Sequence, residues 1–164
     1  MRIIVISDTH GDFWALQQIV ERHRRDTELF LFLGDGAREW QEIQELYPEL
    51  SYDSVRGNCD FGVRTKDQGL LSTPWGKILY THGHRFNVKY GLYDLKETAR
   101  QNGAVIALYG HTHAAYTEYD DGLYVMNPGS PAQPRGGSKP GYGILDLTDA
   151  GIVTNLVEFP KTGR

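Results

Sequence analysis

Three nearly unbroken apolar runs, RIIVIS (residues 2–7), LFLFLG (29–34) and VIALYGH (105–111), each stop at a polar turn that contains glycine. Continuous rather than alternating hydrophobicity marks strands buried on both faces, as in a mostly parallel sheet covered by helices. The segments between them supply such helices. In DFWALQQIVERHRR, Phe13, Leu16, Ile19, Val20 and His23 recur at helical spacing, and Asp12 is placed to cap the N-terminus. REWQEIQELY (38–47) repeats the pattern with Trp40, Ile43 and Tyr47. LYDLKETARQNG does so with Leu92, Leu95 and Ala99, and Gly103 stands at its C-terminal stop. SYDSVRG (51–57) reads as a weaker strand.

The second half reads differently. GLLSTPWGKILYTHG turns at Pro74-Trp75-Gly76, AAYTEYDDGLYVMNP at Asp121-Gly122, and YGILDLTDAGIVTNLVEF at Asp149 to Gly151. The expectation is β-α-β-α-β followed by mainly antiparallel strands. Two sheets packed face to face with helices outside accommodate that change. With 164 residues the chain is long enough for one well-buried domain and short for two, so residues 1–164 form a single domain. The Pro/Gly-rich stretch NPGSPAQPRGGSKPG (127–141) is expected to be an ordered loop, because only one hairpin's worth of chain follows it.

A net charge of −4 gives no global attraction for a polyanion, which argues against nucleic acid as a partner. Two bound divalent cations would bring that sum to about zero. No apolar stretch approaches the ~20 residues of a membrane span, and no export signal is evident, so a cytoplasmic location is expected. The one cysteine, Cys59, rules out an intrachain disulfide, in keeping with a reducing compartment.

The strand ends carry the chemistry. SDTHGD holds Asp8 and His10, FLGDGA holds Asp35, and VRGNCD holds Asn58, Cys59 and Asp60. LYTHGH holds His82 and His84, and LYGHTH holds His111 and His113. Singly, each is a turn built from turn residues. Together, five strands end the same way, and five of the six histidines lie in these turns. Carboxylate, amide oxygen and imidazole suit divalent manganese, iron, cobalt, nickel or zinc, and the lack of a thiolate cluster argues against a structural zinc site. For two ions ~3.5–4 Å apart a carboxylate must bridge, and Asp35, alone in its turn, is the candidate.

The set D-x-H (Asp8, His10), G-D (Asp35), G-N (Asn58), an H after a strand (His82) and G-H-x-H (His111, His113) resembles the calcineurin-like metallophosphoesterases. The flanking HGH and NPGS are similar to the small branch typified by bacterial YfcE-like phosphodiesterases. The resemblance implies a four-layer α/β/β/α sandwich of two mixed sheets with the site at the strand ends. It implies one metal held by Asp8, His10, Asp35 and His113, and a second by Asp35, Asn58, His82 and His111. Manganese is the first expectation for both, with nickel, cobalt, iron or zinc as substitutes. The implied reaction is hydrolysis of a small phosphate ester, a diester foremost, by in-line attack of a hydroxide bridging two metals.

One departure stands out. Many family members have a histidine at position 59 that contacts the phosphate or helps the leaving group, where this chain has Cys59. The candidate catalytic residues are Asp35, Asn58 and His84, with His84, the nearest substitute by sequence, either an acid or a rim residue, and Cys59 itself either an acid or a packing thiol. Substrates with acidic leaving groups are therefore expected to react best. Asp60 reads as a turn residue or hydrogen-bonding support rather than a ligand, and His23 as structural. Asn127, Ser130 and Arg135 either line the substrate mouth or shape a proline turn. The longest gap between motifs (60–82) is filled by a hairpin, so the site should be open. The rival reading is a catalytically weak scaffold like the retromer subunit Vps29, against which Asp8 and His10 are both intact. An edge strand is the place for any homo-oligomer contact.

Overall fold

The computed structural model describes residues 1–160. Its elements run β1 (Arg2–Ile6), α1 (Phe13–His23), β2 (Leu29–Phe32), α2 (Ala37–Leu46) and β3 (Tyr52–Ser54). They continue with β4 (Gln68–Thr73), β5 (Gly76–Thr81), a 3-10 turn (His84–Phe86) and α3 (Tyr93–Gln101). The last are β6 (Ala104–Leu108), β7 (Tyr116–Asp120), β8 (Leu123–Asn127), β9 (Gly141–Thr148) and β10 (Gly151–Glu158). Two five-stranded sheets result, ordered β10-β9-β1-β2-β3 and β4-β5-β6-β8-β7.

Successive residues of a strand face opposite sides of its sheet, and the cores follow that rule. Ile3 and Val5 of β1, with Leu29 and Leu31 of β2, pack against Ile78, Tyr80, Ile106 and Leu108 of the second sheet. Their neighbours Ile4, Ile6, Phe30 and Phe32 face the other way, onto Leu16, Ile19 and Val20 of α1 and Trp40 and Ile43 of α2. Leu95 and Ala99 of α3 cover the outer face of the second sheet through Leu79, Ala107 and Val125. The layers are therefore α/β/β/α.

The second half is mainly antiparallel, as expected, through β4–β5, β7–β8 and β9–β10, but two of its pairings are parallel. β5 pairs parallel with β6, and β6 parallel with β8. α3 provides the crossover that a parallel pair requires. The last hairpin returns to the first sheet, where β9 lies antiparallel to β1. Both sheets are mixed as a result. Hairpin chemistry at the turns is as read, with Asp121 (φ 44°) and Gly122 (φ 83°) forming the β7–β8 turn. The β4–β5 turn is one residue tighter, since Gly76 already pairs with Thr73.

Asp12 caps α1, its Oδ1 accepting from Ala15 N at 3.0 Å. α2 begins at Gly36 and has no side-chain cap of its own. Asp60 supplies it from the loop after β3. Its Oδ1 accepts from Gly36 N (2.9 Å) and Ala37 N (3.0 Å), and its Oδ2 from Asp35 N and Gly57 N, both at 2.8 Å. The buried carboxylate thus neutralises the N-terminal end of α2 and ties the β2 and β3 turns together.

His23 is structural, on the buried face of α1 with Nε2 2.8 Å from Tyr142 Oη. Burial holds its pKa below the ordinary 6.5. The unfolded chain therefore takes up this proton more readily, so stability is complete above pH 6.5 and falls as the pH drops below it. In thermal melts from pH 7 to pH 5, the wild type should lose more stability than His23→Gln. Asp60→Ala should cost about 3 kcal/mol or more in urea unfolding, the price of buried amide donors left unpaired.

Candidate metal centre

The C-terminal ends of β1, β2, β3, β5 and β6 meet at one edge of the sandwich, where the turns that follow them bring together all seven candidate ligands. One group is Asp8, His10 and His113, a second Asp35, His82 and His111, each with ligand atoms within 4.8 Å of one another. Asn58 joins the second, its Oδ1 3.0 Å from His82 Nε2. Asp35 stands between them, with Oδ2 3.7 Å from His10 Nε2 and 3.3 Å from His82 Nε2.

Packing at the strand ends dictates the glycines of these motifs. Gly34 has φ +99°, and a Cβ there would overlap the backbone of Gly57. A Cβ on Gly110 would overlap Ser7 Oγ and reach 2.9 Å from Asp8 Oδ2. The turns themselves are strained. Among the described residues, seven non-glycine positions have positive φ, and five of these are Asp8, His10, Asp35, His111 and His113. Each such conformation costs on the order of 1–3 kcal/mol and persists only where its surroundings over-determine it. Here main-chain bonds do so: Asp8 N to Gly34 O (2.9 Å), His10 N to Asp35 O (3.0 Å) and Gly110 N to His82 O (2.8 Å).

The polar groups are oriented inward. His82 Nδ1 donates to Leu33 O and His113 Nδ1 to Gln133 O, both at 2.7 Å, leaving each Nε2 lone pair turned toward the carboxylates. Ser7 Oγ donates to Asp8 Oδ2 at 2.6 Å, and His111 N donates to the same oxygen at 3.0 Å. Asp8 Oδ1 is buried and accepts no hydrogen bond, while His113 Nε2 lies 3.2 Å from it. His10 and His113 face each other Nε2 to Nε2 at 3.1 Å, and His111 Nδ1 lies 3.2 Å from His82 Nε2. A buried carboxylate oxygen without a donor, ringed by inward imidazole nitrogens, is the environment a divalent cation satisfies. The donor set fits the group that the sequence implies.

Burial alone would raise the Asp8 pKa, but the adjacent imidazoles of His10, His113 and His82 hold it well below the usual carboxylate range. Asp35 is likewise lowered, His82 outweighing the burial. The neighbouring Asp8 and Asp35 carboxylates raise His10, and for His82 the pull of Asp35 and Asp8 overcomes burial. His111 is pushed down to about 4 by burial and by His82. Burial and Asp35 raise the Cys59 thiol. His84 is lowered by burial and by the charges of His82 and Arg85. Its ring centroid lies 5.4 Å from that of His82 and 6.1 Å from that of His111, beside the ligand groups rather than within them.

Other expectations are sharpened or corrected. Asp60 is a hydrogen-bonding support, as its residue type suggested. Asn127 and Ser130 are fully buried and do not line the mouth. Asn127 Nδ2 donates to Gly110 O (3.1 Å), and Ser130 Oγ to Asp8 O (2.7 Å), so both brace the turns from below. Arg135 is exposed, its backbone N–H bonded to His113 O at 3.0 Å, and its charge acts on His10. Sequence reading missed Ser7 and Glu39. Glu39 Oε1 accepts from Thr9 Oγ1 (2.6 Å) and Gly11 N (2.7 Å), fixing the first turn to α2. Its signal was an acid four residues before Ile43, on the apolar face of the helix.

Residues 1–150 match the model of the calcineurin-like phosphoesterase superfamily domain. The chain is 38% identical over 155 residues to the probable metallophosphoesterase YsnB of Bacillus subtilis, covering 93% of this chain and 89% of that protein. It is 30% identical over 193 residues to the phosphodiesterase YfcE of Escherichia coli K12, covering 98% and 100%. Among solved structures, a predicted phosphoesterase from Streptococcus pneumoniae TIGR4 superposes with TM-score 0.80 at 29% identity, over 90% of this chain and 83% of that one. Vps29 from Entamoeba histolytica, crystallised with zinc, superposes with TM-score 0.74 at 21% identity, over 98% and 100%. Together with two mixed sheets that gather carboxylates and imidazoles at their ends, these likenesses establish that the chain belongs to the calcineurin-like metallophosphoesterase family.

Proposed function

We propose that this chain is a single-domain, cytoplasmic two-metal phosphodiesterase, with manganese as its native ion. Asp8, His10, Asp35 and His113 would hold one metal and Asp35, Asn58, His82 and His111 the other. The observation that carries the reading is the position of Asp35, whose one carboxylate adjoins both ligand groups. Divalent ions held there would supply Lewis acidity toward the phosphoryl oxygens and an activated water for in-line attack.

The chain's own residues do the positioning. Ser7 and His111 N occupy Asp8 Oδ2 and leave Oδ1 as the inward donor. Cys59 N donates to Asp35 Oδ1 at 2.8 Å, which leaves Oδ2 facing the histidines. The positive charges of Arg135 and Lys89 reach His10 and His111, and they favour the approach of an anionic ester. A thiol of reference pKa ~8.5 at position 59 is a poorer proton donor to a leaving alkoxide than imidazolium. Rate should therefore depend steeply on leaving-group pKa. YfcE is named a phosphodiesterase, which supports diesters as the preferred class.

Adding Mn²⁺ to chelated protein at ~100 times its Kd should raise the melting temperature by about 5–10 °C. Asp35→Asn should lose most of that shift. Chelated protein should hydrolyse neither bis(p-nitrophenyl) phosphate nor its monoester, and Mn²⁺ should restore diester turnover in the wild type but not in Asp35→Asn. A phenyl ester series should give a steep dependence on leaving-group pKa; a flat one identifies a working acid. Two bound metals without turnover of either ester would replace this reading by a scaffold role, for which the shared fold of Vps29 is the precedent.

A further inference from the structure

A cleft of about 730 Å³ opens from His10, Asp35 and Cys59 and runs between α2 and residues 54–65. That volume lies in the range of small-molecule sites. Three carboxylates border it, and each is already engaged. Asp60 accepts four backbone N–H groups, Glu39 is held by Thr9 and Gly11, and Asp35 belongs to the candidate metal centre. Arg38 pairs along α2 with Glu42, and Arg56 with Asp67. With these charges paired, the side chains of Gln41 and Gln44 line one wall of the cleft, in front of the buried Phe32–Trp40 stack and Val55. Phe61, two residues beyond Cys59, lines the same cleft with 88% of its surface exposed.

A large apolar ring that is nearly all in water, on the lip of a cleft joined to the reaction site, has no packing partner among the described residues. We infer that this cleft is a subsite for one ester arm of the diester, selecting a flat uncharged ring that packs against Phe61. The inference rests on the phosphodiesterase reading and extends it. A monoester has at most one ring arm to place and brings a second phosphate charge. A diester can seat its retained arm in the cleft while the other arm leaves from the metal centre, a placement no monoester has, so the subsite itself contributes to diester preference. Nucleosides and simple aryl groups share the required chemistry; the Gln41 and Gln44 amide nitrogens donate to Glu45 and to Trp40 O, so their side-chain oxygens are what meets the donors on the edge of a base.

The test compares a two-ring diester with a ring-free one. Phe61→Ala should raise KM for bis(p-nitrophenyl) phosphate roughly tenfold, the size of one lost ring contact. Its Ki for dimethyl phosphate, measured as a competitive inhibitor, should stay within about twofold, and Phe61→Trp should restore KM. If both constants move together, or neither moves, the subsite is overturned. Should no ester be turned over, the function proposed above fails, and the subsite is still decided by saturation-transfer NMR on chelated protein. Transfer to the ring protons of bis(p-nitrophenyl) phosphate that is lost in Phe61→Ala upholds it, and transfer that is absent or unchanged overturns it. A thymidine arm in place of one nitrophenyl separates the sources. Tighter binding than the aryl diester marks a nucleoside subsite, and weaker binding an aryl one.

Discussion

The carboxylate of Asp60 holds the site's geometry together. Four main-chain amides from two separate turns converge on it, and each turn by itself lacks a way to satisfy those donors. α2 starts at a glycine that offers no cap, immediately after Asp35 leaves the end of β2. Without an acceptor there, the first turn of α2 would fray and Asp35 would lose its fixed placement. Buried charge-assisted hydrogen bonds are the strong ones, and they resist exchange with water. One side chain thus connects the start of a helix, the end of two parallel strands and the presentation of the central carboxylate.

Around that anchor the site stores both conformational and electrostatic strain. Five of its seven candidate ligands adopt left-handed backbone, and an oxygen of Asp8 is buried without a donor. Neither feature would survive on its own merits in a protein that is stable by only ~5–15 kcal/mol. The cost is met by the two sheets, whose inner faces form one uninterrupted apolar core from Ile3 to Leu147. Rigid strands carry a polar edge that the polar edge itself could not sustain.

Much of this was legible in the chain. Strands buried on both faces announce themselves as continuous apolar runs, and the placement of Asp, Asn and His at their ends survives any error in topology. Helix α1 with its Asp12 cap and α3 with its Gly103 stop (φ +70°) follow from local chemistry alone. Parallel pairing of β5, β6 and β8 was not legible, because hairpin signals describe the connection between neighbours and not the partner across the sheet. The braces were hidden for the same reason. Ser130 supports Asp8 from 122 residues away, and Asp60 caps a helix that begins 24 residues earlier. Such long-range hydrogen bonds leave no periodicity to read, so the sequence left Asn127 and Ser130 between mouth residues and a proline turn, when they brace the strand-end turns.

The glycines at the strand ends carry a last consequence, for how this scaffold can change. Where Gly34 meets Gly57, main chain touches main chain, and the Asp60 carboxylate bridges the two turns at that spacing. The separation between the β2 and β3 turns is then insulated from whatever happens in the apolar layers or along the cleft wall. Arg38, Gln41 and Phe61 stand on exposed surface and can vary freely without disturbing that gauge. A protein built this way is a chassis. Its reactive centre is dimensioned once by the backbone, while its ligand preference can be rewritten residue by residue around it.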